Sequence, residues 1–217
     1  SHKATSTELM FSECYAFNQP ITFRTDMVTT MASMFDGARS FNQPVTFSVA
    51  NLTDASSMFA NASSFNQPIT FSVPKLRIAM GMFRNASSFN QPINFQSPNL
   101  IIASSMFQGT TKLNSPVTIN TTLAFLMDGM FADCPSFAST VTFPTTIQTK
   151  NMEYMFQGAN AFDRDLSSWD TSNVTMCNSF CAFCGLPAFP RCTPCVVRYT
   201  DWRGLSVCSN THSPNCP

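Results

Sequence analysis

The stretch Asn51–Phe71, NLTDASSMFANASSFNQPITF, decides the fold, because most of the chain is this stretch written over again. Its Met-Phe pair recurs at Met10-Phe11, Met34-Phe35, Met58-Phe59, Met82-Phe83, Met106-Phe107, Met130-Phe131 and Met155-Phe156, spaced by 24 residues five times and then by 25. Six residues after each Phe stands another large apolar residue: Phe17, Phe41, Phe65, Phe89, Leu113, Phe137 and Phe162. A unit this short cannot bury its own apolar face, so self-similarity at this period means stacked coils.

Within the unit, Leu52, Ala55, Met58 and Phe59 fall at helical spacing, and Thr53 and Asp54 offer oxygens for a cap. Two residues after the Phe of each pair stand Gly37, Asn61, Asn85, Gly109, Asp133 and Gly158, residue types that tolerate a left-handed backbone and so stop a short helix. Glu13 is the misfit in this column. Ile69-Thr70-Phe71 then alternates apolar, polar, apolar, as a half-buried strand does, with Ile69 and Phe71 inward. Equivalent triplets are 21–23, 45–47, 93–95, 117–119 and 141–143; Pro20, Pro44, Pro68, Pro92 and Pro116 stand just before every one of the six but 141–143. The prediction is an α/β repeat solenoid of 24-residue coils, each with a short helix and a short strand, the strands forming a parallel sheet. Residues 1–176 would supply about seven repeats and 177–217 a cysteine-rich cap.

Two further columns call for a structural reading. Asn18, Asn42, Asn66, Asn90 and Asn114, with Asp163 later, are expected to be buried and to bond one another and the turn backbone. Cys14 and Cys134 share a phase otherwise filled by small residues and are expected to be small buried thiols.

Charged residues make up only 11% of the chain, and twelve basic residues balance twelve acidic ones. That removes the electrostatic basis for binding nucleic acid or an anionic membrane surface. No apolar run is long enough for a membrane-spanning helix. The chain starts at Ser1 without a signal-like stretch and reads as a processed or excerpted piece. Five Asn-x-Ser/Thr sequons, at Asn51, Asn61, Asn85, Asn120 and Asn173, accompany a tail carrying Cys177, Cys181, Cys184, Cys192, Cys195, Cys208 and Cys216. Together they favour an oxidising, extracellular setting, candidate N-glycosylation and a disulfide-stapled cap. A zinc site is the weaker reading of the two Cys-x2-Cys pairs, since the gap between them is short and no His is interleaved; no metal is expected.

Ser168-Trp169-Asp170-Thr171-Ser172-Asn173-Val174-Thr175-Met176, preceded by Met155-Phe156-Gln157-Gly158-Ala159-Asn160-Ala161-Phe162, resembles the repeat of BspA-like surface proteins. The variety it most resembles is abundant in mycoplasma lipoproteins and in some protists and algae. The resemblance covers residues 1 to about 180, with Phe replacing Trp in the earlier coils. It implies a solenoid related to leucine-rich repeats, at a cell surface or secreted, used for adhesion or recognition, with no catalytic residues.

The functional expectation is therefore a non-catalytic extracellular structural, adhesion or recognition module without cofactor. Its partner would be another protein or a glycan at a cell surface or matrix, and it would not insert into a membrane. Self-assembly into a fibre or surface layer is part of the expectation, because the first coil shows no cap before Met10. The candidate binding face is the outward column Thr22, Thr46, Thr70, Asn94, Thr118 and Thr142. The alternative is an ice-binding solenoid using the same column as a threonine ladder. Catalysis is not expected, because the two histidines, His2 and His212, lie at opposite ends and no nucleophile–base set recurs.

Overall fold

A computed structural model describes residues 4–70, 72–143, 146, 148–166, 169–181, 197–200 and 206–209. The repeat forms stacked coils in register. Parallel bridges run without a break through Ser6, Thr30, Asp54, Ile78, Ile102, Leu126, Asn151 and Met176, one residue from each successive coil. On another wall, β1 (Ile93–Phe95), β2 (Val117–Ile119) and β3 (Val141–Thr142) form a parallel three-stranded sheet. Triplets 21–23 and 45–47 lie outside any strand. Phe71, expected inward, lies outside the described residues. Farther along, β4 (Val197–Thr200) and β5 (Ser206–Ser209) pair antiparallel.

The expected short helix is replaced by a run of tight turns; the described residues contain no α-helix. In the second coil, Met34, Asp36 and Ala38 donate to carbonyls three residues back, on Met31, Ser33 and Phe35 (3.1, 3.2 and 3.0 Å). The residues between them donate to the next coil instead: Met31 to Asp54, Ser33 to Ser56, Phe35 to Met58 and Gly37 to Ala60, at 2.8–2.9 Å. A helix would spend every N–H within its own segment; this wall divides them between turn and neighbouring coil. The left-handed column holds as read, with φ of 74° at Gly37, 55° at Asn61 and 58° at Asn85, and even Glu13 adopts it at 58°. A second left-handed column lies four residues earlier, at Ser33, Ser57, Gly81, Ser105, Gly129 and Tyr154. Two such positions in every coil cannot fit a right-handed helix.

The interior is a pair of interleaved aromatic ladders. Phe35, Phe59 and Phe83 stack at 5.4 and 5.6 Å between centroids, close to the roughly 4.8 Å step of paired strands. Phe41, Phe65 and Phe89 form the second ladder, each 4.1–4.3 Å from its coil's first Phe. Leu113 interrupts that ladder in the fifth coil. The Met of the pairs from Met34 to Met155 is fully buried. Each such side chain contributes about 1.5–3 kcal/mol by burial, and stacked rings add about 0.5–1.5 kcal/mol per pair.

The asparagine column bonds as expected but is not buried. Asn42 and Asn66 are half-buried, while Asn18, Asn90 and Asn114 are exposed. Each Oδ1 accepts the backbone N–H one coil on: Asn18 from Asn42, Asn42 from Asn66, Asn66 from Asn90 and Asn90 from Asn114, at 2.7–2.9 Å. Gln43, Gln67 and Gln91 add a side-chain donor to the same oxygens. The corner lies at the surface, so the oxygen binds the neighbouring coil while the amide nitrogen can face water. Cys14 also departs from expectation. It is exposed, because its column is covered by the preceding coil and Cys14 stands in the first described one.

Candidate functional site

The outward column lies on the wall that carries the sheet. Asn94, Thr118 and Thr142 are register partners across β1, β2 and β3. Thr22, Thr46, Thr70, Asn94 and Thr142 are exposed, and Thr118 is half-buried. Alternation puts them there: Ile93 and Phe95, on either side of Asn94, are buried. The ranks are not uniform. Between the third and fourth coils a shallow cavity of about 290 Å³ is lined by Ile69, Thr70, Ser72, Val73, Asn94 and Gln96. Gln96 Nε2 donates to Asn94 Oδ1 (2.6 Å), joining the two amides along the cavity lining. No charged side chain lines it. Such a lining can offer hydrogen bonds to a neutral partner.

The other expected features scatter over the coils. Among the sequons, Asn85 and Asn173 are exposed and Asn51, Asn61 and Asn120 half-buried. Asn51 donates to the Asp26 carbonyl (2.9 Å), and Asn61 donates to Asp36 while accepting from Asn85. Asn120 Oδ1 accepts from both the N–H and the hydroxyl of Thr122, its own sequon threonine. In the tail, Cys177 is buried and Cys181 is disulfide-bonded. Cys184, Cys192, Cys195 and Cys216 lie outside the described residues, as do His2 and His212; Cys208 lies in β5.

Acids that could be taken for catalytic groups have structural partners. Asp54 Oδ1 accepts the N–H and hydroxyl of Ser56, and Asp128 accepts the Ser104 hydroxyl. Hydrogen bonds from the Ser172 hydroxyl and N–H hold Asp170 below the usual carboxylate range. The Tyr15 hydroxyl is raised by its hydrogen bond to Glu13 and by that carboxylate's charge. Burial pushes the Cys134 thiol up to about 12. Its Sγ donates to the Phe107 carbonyl (2.9 Å), as the Thr110 hydroxyl, one coil earlier, donates to Phe83 (2.8 Å). The thiol stands in for a hydroxyl and is protected from reaction. Among the described residues no group of three His, Cys, Asp or Glu side chains is placed to hold a metal ion.

A family model described as "Mycoplasma protein of unknown function, DUF285" matches residues 1–96 and again 82–186. The chain belongs to this family. The two DUF285 matches together take in every Met-Phe pair and every bridge of the parallel ladder. No curated protein and no solved structure matches the chain. No helix among the described residues is long and apolar enough to cross a membrane.

Proposed function

We propose that this DUF285 chain is a non-catalytic extracellular module of the BspA-like, leucine-rich-repeat-related kind. It presents its hydroxyl- and amide-rich wall to another protein or a glycan at a cell surface or in a matrix. The observation that carries the reading is the outward column itself, Thr22 to Thr142, held at coil spacing above a rigid aromatic interior. A stacked scaffold of this kind keeps many weak polar contacts in fixed register, which favours recognition of a repetitive partner through multivalency. The sequons and the cysteine-dense tail support an oxidising, extracellular setting.

The reading extends to self-assembly into a fibre or surface layer.

Binding to glycan and cell-surface arrays tests it, with Thr46→Lys and Thr118→Lys beside the natural sequence. Loss of binding in folded variants supports the wall as the site; unchanged binding removes it. Intact mass before and after enzymatic deglycosylation tests the sequons. The competing reading, ice binding, draws on the Asn94–Thr118–Thr142 register, and a thermal-hysteresis measurement decides between the two.

A further inference from the structure

The wall built by the parallel bridges changes character along its length. In the second and third coils it carries Thr29, Thr30, Thr53 and Asp54 beside the exposed Met27; in the fourth to sixth it carries Ile78, Met80, Ile102, Leu123, Phe125 and Leu126, with the exposed Arg77 and the half-buried Asp128 among them. Met80, Leu123 and Phe125 are nearly half exposed, at 48%, 47% and 46%, and the other three are half-buried. In the seventh coil the wall turns polar again, at Lys150, Asn151 and Glu153. A concentration of exposed apolar side chains bounded by more polar coils is what an interaction surface looks like.

Its ends say what covers it. Asp54 lies two bridge steps before Ile102, and Asn151, next to Lys150, lies two steps after it, each roughly 10 Å away. Asp54 uses Oδ1 on Ser56, and Lys150 Nζ reaches only Asn173 Oδ1 at 3.5 Å; neither forms an ion pair among the described residues. A two-fold axis through Ile102, perpendicular to the stack and lying along the strand direction of the bridge residues, reverses the order of the coils and keeps like positions opposite. It lays apolar patch on apolar patch and brings each Asp54 to a Lys150 of the other copy. Packing the coils in the same order would instead oppose Asp54 to Asp54 and Lys150 to Lys150.

We propose that this face is covered by a second copy of the chain, in an antiparallel, isologous dimer centred on Ile102. Such a contact closes on itself, so it is independent of assembly into a fibre or layer and of the threonine wall's partner.

Sedimentation velocity over a concentration series tests it, using the full chain and the variants Asp54→Lys and Lys150→Asp. The natural chain should dimerise, each variant alone should self-associate roughly tenfold more weakly, and an equimolar mixture of the two should recover the natural affinity as a heterodimer. Asp54→Asn, which keeps the oxygen bonded to Ser56, should weaken association and reduce its dependence on salt. A monomeric natural chain, variants that dimerise as tightly as it does, a mixture no tighter than its parts, or open filaments indifferent to these changes would each overturn the proposal.

Discussion

The turn wall and the threonine wall belong to the same coils and are equally periodic in sequence, yet their backbones are tied very differently. On the turn wall, inter-coil bonds recur from the first coil to the seventh, from Leu9 N–H to the Ala32 carbonyl through to Phe156 N–H to the Phe180 carbonyl. On the threonine wall, described strand pairing is confined to β1, β2 and β3, three residues or fewer each. Regular side chains therefore do not imply regular backbone pairing. One wall carries the stack, and the other is left to display side chains.

Substitutions should separate the two walls by size of effect. The largest belongs to the aromatic ladder: Phe83, fully buried, stacks on Phe59, Phe89 and Phe107 at 5.6, 4.3 and 5.6 Å. Phe83→Ala should cost about 3–5 kcal/mol in denaturant unfolding; a loss below about 1 kcal/mol would mean that the coils do not depend on the ladder. Gly109→Ala comes next. Gly109 has φ 70°, and an added methyl would run into the Asn85 side-chain oxygen of the preceding coil. The expected loss is about 1–3 kcal/mol, read as a lower midpoint with unchanged denaturant slope.

Asn66→Ala removes the acceptor used by both the Asn90 N–H and Gln91 Nε2. About 1 kcal/mol should go, since the corner is open enough for water to replace part of the bond. On the threonine wall, Thr46→Ala should move stability by no more than about 0.5 kcal/mol. A loss as large as that of Asn66→Ala would erase the distinction between the walls.

The two thiols that share a column offer a chemical version of the test. At neutral pH a thiol reagent followed by mass spectrometry should label Cys14 in the native protein and Cys134 only on unfolding, because Cys134 is buried with its pKa at about 12. Cys134→Ser should keep the bond to the Phe107 carbonyl and fold normally.

Periodicity made the stack, its register and its core columns legible, because identical residues at identical spacing leave little choice of what faces inward. The helix was misread for a physical reason. Turns that bond three residues back, such as Met58 to Ala55 and Phe65 to Ala62, bring side chains inward every three residues or so, and Leu52, Ala55 and Met58 look the same under a helical period. Gly81 and Gly129, both left-handed, were the readable hint against a helix; Ser33, Ser57 and Ser105 in the same column carry none, because serine seldom marks that conformation. Exposure of the asparagine column depended on where the corner sits relative to solvent, which spacing does not encode. The candidate face was legible as a column, whereas the cavity at Asn94 and Gln96 emerged only from the packing of adjacent coils.

Residue-resolved amide exchange and cross-strand contacts by NMR test the central claim, that alternate turn-wall amides join one coil to the next. The account predicts strong protection at Phe35, Phe59, Phe83 and Phe107, with close contacts from each amide to the Met58, Met82, Met106 and Met130 backbones respectively. Helical contacts three and four residues apart through 31–38, with no contact to the following coil, would contradict it.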